Sequence, residues 1–206
     1  MGSRLAQLAR APTEPSAAVS EERCDLCGDP VEPAHRHLVD VETRRLMCAC
    51  RPCALLFDRP AAGGGHLRLV PTPRERLEDF TLDDATWAAL RIPVEMAFFL
   101  HSSTAGRVVA LYPSPLGTTE SLLELEAWGE LERANPPLRE LEPDVEALLV
   151  CRAHGLRQHW RVPIDDCYEL SGIVRSRWRG FGGGEDVWRA LERFFDDLPR
   201  RERTRW

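Results

Sequence analysis

The sequence contains no lysine, and arginine supplies all 27 of its basic residues. A Schiff base with a carbonyl substrate needs a lysine side chain, and so does the phosphate-binding loop of the P-loop enzymes. The absence of lysine therefore excludes both of these chemistries.

Long apolar stretches are also missing. The strongest run, Val94 to Leu100, is far shorter than the roughly 18 apolar residues of a membrane-spanning helix. Met1 to Glu22 is rich in Ala, Pro and Ser, and its apolar residues are too scattered for the core of a signal peptide. We therefore expect a cytoplasmic protein without a membrane segment, in a compartment that keeps thiols reduced.

Acidic residues outnumber basic ones by 33 to 27, and the formal net charge is −6. Proteins that bind nucleic acid through its phosphates carry basic surfaces. The acidic balance argues against a nucleic-acid partner.

Cysteine is concentrated in one segment, where five of the seven form the pattern C-x2-C-x20-C-x-C-x2-C. Two Cys-x-x-Cys turns supply the four thiolates of a tetrahedral metal site. The predicted ligands are Cys24, Cys27, Cys50 and Cys53. The expected metal is zinc in a structural role. Iron in a rubredoxin-like site is the alternative, because tetrahedral thiolate sites suit either metal, and a thiol redox pair without metal is a further one.

Three more residues lie close to these ligands in the sequence. Cys48 is interpreted as a small buried side chain beside the metal, as a substitute for Cys50, or, if it is exposed and unligated, as a redox or transfer thiol. His35 and His37 are interpreted as residues that support the metal ligands from outside the coordination shell. They also give the segment a loose similarity to the zinc-braced HNH nuclease finger, in which a histidine activates water. The histidine expected after the second cysteine pair is absent, since Ala54 follows Cys53.

The rest of the chain alternates strand-like and helix-like segments, which predicts an α+β fold. A small four-cysteine module precedes an antiparallel or mixed sheet with packed helices. The predicted divisions are a disordered tail over 1–22, the cysteine module over 23–58, a Gly-rich linker over 59–66, the α+β domain over 67–198 and a basic tail over 199–206.

Other polar and aromatic features have structural interpretations. Asp165 and Asp166 are predicted to begin a helix, and the Gly-rich stretch 179–184 is predicted to be a loop before another helix. Leu55, Leu56 and Phe57 are expected to pack the module onto the larger domain. Core packing is expected for five tryptophans, and one or two of them on an exposed face would mark a protein interface: Trp87, Trp128, Trp160, Trp178 and Trp188. No convergent polar set in 67–198 predicts a ligand pocket.

Several stretches resemble an uncharacterised bacterial family that is encoded beside nickel–iron hydrogenase genes and has an N-terminal zinc-ribbon or rubredoxin-like cysteine module. The resemblance implies an accessory role near hydrogenase assembly or electron transfer, a hydrogenase component as partner, and no catalytic residue. It lends some weight to iron, since rubredoxin-like proteins are often encoded in hydrogenase gene clusters. The matching stretches, spread over most of residues 23–198, are 24–28, 35–40, 48–57, 111–115, 143–150 and 162–168.

The sequence thus predicts a non-enzymatic, metal-binding accessory or assembly protein that binds a protein partner. The first alternative is an electron carrier with iron at the same four cysteines. The second is a nuclease finger that uses His35 or His37.

Overall fold

The computed structural model describes residues 22–59, 62–122, 124–180 and 182–201. The tail predicted over 1–22 lies outside these residues apart from Glu22, and so does the end of the predicted basic tail, 202–206. The described residues form nine strands: β1 (Arg36–Asp40), β2 (Arg45–Ala49), β3 (Leu67–Leu69), β4 (Glu75–Arg76), β5 (Met96–Ser102), β6 (Arg107–Ser114), β7 (Gly117–Ser121), β8 (Glu146–Cys151) and β9 (Gln158–Pro163). They also form five α-helices: α1 (Arg51–Leu56), α2 (Asp84–Ala89), α3 (Leu125–Ala134), α4 (Ile164–Arg177) and α5 (Glu185–Asp197).

The larger sheet has six strands in the order β4-β9-β8-β5-β6-β7, and all its pairings are antiparallel. Its central strands are buried on both faces, because side chains alternate between two cores. In β5, Phe98 packs with α4 and α5, whereas Phe99 packs with Trp87 of α2 and Trp128 of α3. Helices therefore cover both faces of an antiparallel sheet, which confirms the predicted α+β class.

The smaller sheet has three antiparallel strands in the order β2-β1-β3. One face carries Val39 and Val41, which join the main core. The opposite face carries Leu38, which forms a small core with Ala49 and with Ala54 of α1. The cysteine module therefore packs on the larger domain through one face of its sheet.

β3 lies on the far side of the predicted linker from the other two strands of this sheet. It nevertheless pairs with β1, with Leu38 opposite Leu69 and Asp40 opposite Leu67. Within the linker, Ala62–Gly65 form a 3-10 turn. The small sheet thus contains residues from both sides of the linker.

A buried carboxylate ties the start of α4 to two distant parts of the chain. Asp166 accepts hydrogen bonds from Arg74 at 2.6 and 3.0 Å and from Arg201 at 2.8 Å. A buried charge is stable only when it is paired and hydrogen-bonded. These contacts hold the N-terminal end of α4 in place. Asp165 and Asp166 lie in the first turn of this helix, where the sequence predicts a helix start.

No helix in the described part of the chain combines the length and the apolar character that crossing a membrane requires.

Candidate metal centre

The first cysteine pair lies in a tight turn. The Gly28 amide donates to the Cys24 carbonyl at 2.8 Å, and the Cys24 amide donates to the Asp29 carbonyl at 2.8 Å. Gly28 has a φ of 78°, in the left-handed region that glycine adopts without a steric penalty. The turn directs both thiols to one side.

The second cysteine pair begins helix α1. Cys50 caps the helix with an extended backbone, Pro52 lies in the first turn, and the Ala54 amide donates to the Cys50 carbonyl at 2.9 Å. Proline stabilises a first turn because its φ is already helical and no amide is needed there. Cys50 and Cys53 therefore lie one helical turn apart and on the same side.

These two turns bring the four predicted cysteines together. Their four sulfur atoms lie within 4.8 Å of one another, and the Sγ atoms of Cys27 and Cys50 are 3.5 Å apart. Metal–sulfur bonds of about 2.3 Å in a tetrahedron require sulfur atoms about 3.8 Å apart. All four cysteines are free thiols. The donor set and its spacing fit a tetrahedral thiolate site.

The electrostatics of the four thiols also favour a cation. Burial raises the pKa of Cys24, but the backbone amides of Cys50, Cys27 and Leu26 donate to its sulfur and bring the pKa down to about 6. Burial and hydrogen bonds from neighbouring thiols raise the pKa of Cys53. Four thiolates so close together repel one another, and a bound cation offsets this repulsion.

Asp25 fastens the first turn to strand β2. Its carboxylate accepts a hydrogen bond from the Cys48 amide at 2.7 Å and one from Arg45 at 3.0 Å. Its own amide donates to the Cys48 carbonyl at 2.9 Å. Because β2 leads directly into α1, these contacts hold the two cysteine pairs in a fixed relation.

Cys48 belongs to a different group from the four cysteines. Its Sγ lies within 4.8 Å of a ring nitrogen of His35 and of a ring nitrogen of His37. Cys50, and not Cys48, lies among the four clustered cysteines. The histidines predicted to support the metal ligands thus lie beside the fifth cysteine.

Leu55 and Leu56 do not pack the module onto the larger domain, contrary to expectation. Their exposed fractions are 58% and 69%, and only Phe57 of this stretch packs against the small core. The valines on the opposite face of the module form that contact instead. The two leucines point into solvent beside the second cysteine pair.

The larger domain contains an apolar cavity of about 340 Å³ that no sequence pattern predicts. Its walls include Trp178, Trp188 and His154, and the His154 and Trp188 rings stack at 3.8 Å. The two indole N–H groups donate to the carbonyls of Gly180 and Gly182 in the predicted Gly-rich loop. Both tryptophans are therefore part-buried wall residues rather than central core residues.

Comparison with known proteins gives one positive result. A family model described as a family of unknown function matches residues 23–202. No curated protein and no solved structure matches the chain. The match confirms an uncharacterised family, as the resemblance in the sequence implied, and carries no information on neighbouring genes.

Proposed function

Because the chain belongs to this family of unknown function (DUF5947), we propose its role from the site itself: a non-enzymatic accessory protein with a structural zinc ion at Cys24, Cys27, Cys50 and Cys53. The observation that carries the proposal is the convergence of these four thiols from two turns within 4.8 Å. Zinc binds four thiolates in closed tetrahedral sites that stabilise small folds.

The size of the module supports a structural role for the ion. Its own core contains three buried residues, Leu38, Ala49 and Ala54. Burying a leucine side chain contributes about 1.5–3 kcal/mol, whereas fixing the backbone of each residue costs about 1–2 kcal/mol. So small a core contributes little to the order of residues 23–58 beyond their contacts with the larger domain, and metal binding supplies further folding energy.

The partner surface in this proposal lies on the module. Leu26, Leu55 and Leu56 are exposed large apolar side chains next to the two cysteine pairs. Exposed apolar side chains on a rigid element favour contact with another protein. The partner that the family resemblance implies is a nickel–iron hydrogenase component, and this part of the proposal rests on the resemblance alone.

The test is elemental analysis, with a visible spectrum, of protein purified without a metal-affinity step. We expect colourless protein whose zinc content falls by one ion per chain in Cys27→Ser. The matched control is Asp29→Ser, an exposed position in the same turn, which should keep its zinc. An unchanged zinc content in Cys27→Ser would overturn the proposal.

One observation favours iron-based electron transfer as a second candidate. Cys27 is exposed and Cys50 is half-buried, so two sulfur atoms lie near the surface, where an electron partner docks. In this case the same analysis yields iron and a thiolate-to-iron absorption that bleaches on reduction. The nuclease alternative stays a prediction, and cleavage of plasmid DNA with added divalent ions tests it.

A further inference from the structure

A second group of metal-binding side chains lies beside the four cysteines. We propose that His35, His37 and Cys48 form a separate site for a divalent transition-metal cation of the zinc type, with three protein ligands and one open coordination position. This site does not depend on which metal the four cysteines bind, but it requires the folded module that they stabilise.

The register of β1 and β2 builds the group. His37 in β1 lies directly opposite Cys48 in β2. His35 precedes His37 by two residues, and side chains two residues apart along an extended chain lie on the same face. One ring nitrogen of each histidine and the cysteine sulfur lie within 4.8 Å of one another. Zinc–ligand bonds of about 2.0–2.3 Å place two nitrogens and one sulfur about 3.3–3.6 Å apart, so a small adjustment brings all three onto one ion.

The hydrogen bonds of both histidines leave the same nitrogen available. Nδ1 of His35 donates to the Glu32 carbonyl at 2.8 Å, because a carbonyl oxygen only accepts. Nδ1 of His37 lies 2.9 Å from an oxygen of Asp165. Metal-binding histidines typically donate one ring N–H to a carbonyl or carboxylate, which orients the ring and leaves the other nitrogen for the metal. Both rings have this arrangement, and Nε2 is the nitrogen that these two bonds leave available.

The His35 side chain gives an independent indication of a ligand. Only 6% of it is exposed. Its Nε2 is fully buried and has no hydrogen-bond partner within the described part of the chain. A buried polar atom without a partner costs about 1–3 kcal/mol. A metal ion bonded to Nε2 removes this cost.

The surroundings favour a cation and give it access. The carboxylate of Glu22 lies 3.8 Å from His35 Nδ1, Asp165 contacts His37, and Asp25 accepts from the Cys48 amide. His37 and Cys48 are part-exposed. The ion can therefore enter from the solvent side, and water or an external ligand can take the open position.

The donor set selects the class of metal. Two imidazoles and one thiolate suit zinc and its transition-metal neighbours, whereas calcium and magnesium require oxygen ligands. Three protein ligands and one open position are typical of zinc sites that exchange a ligand, and four cysteines are typical of closed structural sites. The two adjacent groups thus differ in the coordination they offer.

The test uses the full chain, saturated with Zn²⁺ and freed of excess metal by gel filtration. We expect the wild type to retain one ion per chain more than Cys48→Ser or His37→Gln. The control is His66→Gln, since His66 is an exposed histidine that contacts Glu42 at 3.0 Å, and it should match the wild type. Cys48→Ser and His37→Gln should keep the ion of the four cysteines, whereas Cys27→Ser should lose it, so failure of either site is seen separately.

A cobalt titration provides a readout that does not rely on a substituted protein folding. Co²⁺ added to wild-type chain whose four cysteines already hold Zn²⁺ should give a thiolate-to-cobalt absorption that is weaker than that of a four-thiolate site. Absence of this absorption would overturn the proposal. Equal metal content in the wild type and in folded Cys48→Ser and His37→Gln would overturn it as well.

Discussion

Nδ1 of His37 lies 2.9 Å from Oδ2 of Asp165, although the two residues are 128 positions apart in the chain. The contact joins β1 of the cysteine module to the first turn of α4 in the larger domain. It therefore couples the orientation of a histidine ring in the module to the packing of the module on the domain.

Replacing this carboxylate should weaken metal binding without unfolding the protein. In Asp165→Ala the His37 ring loses its acceptor, and the loss of such a partner typically lowers metal affinity about 10–100-fold. Competition against a chromogenic chelator measures the affinity of the ion at His35, His37 and Cys48. Asp186→Ala is the matched control, because Asp186 also lies in the first turn of a long helix. Equal losses in both variants would contradict a role through His37.

Removing the metal from the four cysteines should unfold the module selectively. We expect a strong chelator to abolish hydrogen-exchange protection in β1, β2 and α1, because the small core is insufficient without the ion. The amides of β5 and β8 should stay protected, since both strands are buried between two helical layers. Adding back Zn²⁺ should restore the protection. Protected β1 amides in the metal-free protein would contradict a structural role for the ion.

Replacing the exposed leucines of α1 should weaken binding to a partner and leave the stability of the protein unchanged. Leu55→Ser combined with Leu56→Ser removes two apolar side chains that are 58% and 69% exposed, and surface changes of this kind usually alter stability by less than about 0.5 kcal/mol. We expect an unchanged melting temperature and at least ~10-fold weaker binding to a purified hydrogenase component.

The control for the leucine variant is Leu116→Ser, since Leu116 is almost fully exposed in the β6–β7 turn. This variant should bind as the wild type does. Equally strong binding by the wild type, the double leucine variant and Leu116→Ser would show that Leu55 and Leu56 are not part of the partner surface.

His159 should contribute to the pH dependence of stability. Burial and the positive charges of Arg152, Arg157 and Arg76 lower its pKa. The folded pKa lies below the unfolded value of about 6.5, so this contribution is present above that pH and is lost as the pH falls through the folded pKa. In His159→Gln, urea unfolding between about pH 7.5 and 5 should show a shallower loss of stability than in the wild type. Parallel curves would contradict the assignment.

In the loop before α5, an added methyl group should lower the stability of the protein more at Gly183 than at Gly180. A Cβ on Gly183 would lie 2.9 Å from Val187 and 3.1 Å from the Trp178 ring, whereas one on Gly180 meets nothing within 4 Å. Both glycines have positive φ, so the backbone penalty is shared. We expect Gly183→Ala to be about 1–3 kcal/mol less stable than Gly180→Ala in denaturant unfolding, because only it overpacks the cavity wall. Equal stability would contradict this packing.

The strands and helices of the larger domain follow closely from the sequence. β5 and β8 are apolar runs of the length that a buried strand requires, and α4 and α5 carry acidic first turns. The sequence of β7, GTTES, gives no strand signal, because it is polar and lies at the sheet edge. The sequence of β1, RHLVD, gives a weak one, since three of its five residues are polar or charged.

The two metal-binding groups differ in how far the sequence reveals them. Cys-x-x-Cys spacing is local, so two such pairs are sufficient to predict that four thiols converge. The group of His35, His37 and Cys48 depends on the pairing register of β1 with β2, and on a carboxylate from α4. Neither is encoded in local spacing, which is why the histidines were predicted to support the four-cysteine site.

The pairing of β3 with β1 determines where the chain can be cut to produce a folded fragment. A fragment that stops at the linker keeps all five clustered cysteines but leaves β1 with an open edge, which invites association with other chains. It also loses the valine contacts and Asp165 that hold the module in place. Residues 23–58 therefore do not form an independent folding unit. A fusion protein that contains them must include the chain through Val70, and a fragment that stops at the linker should aggregate where the full-length chain does not.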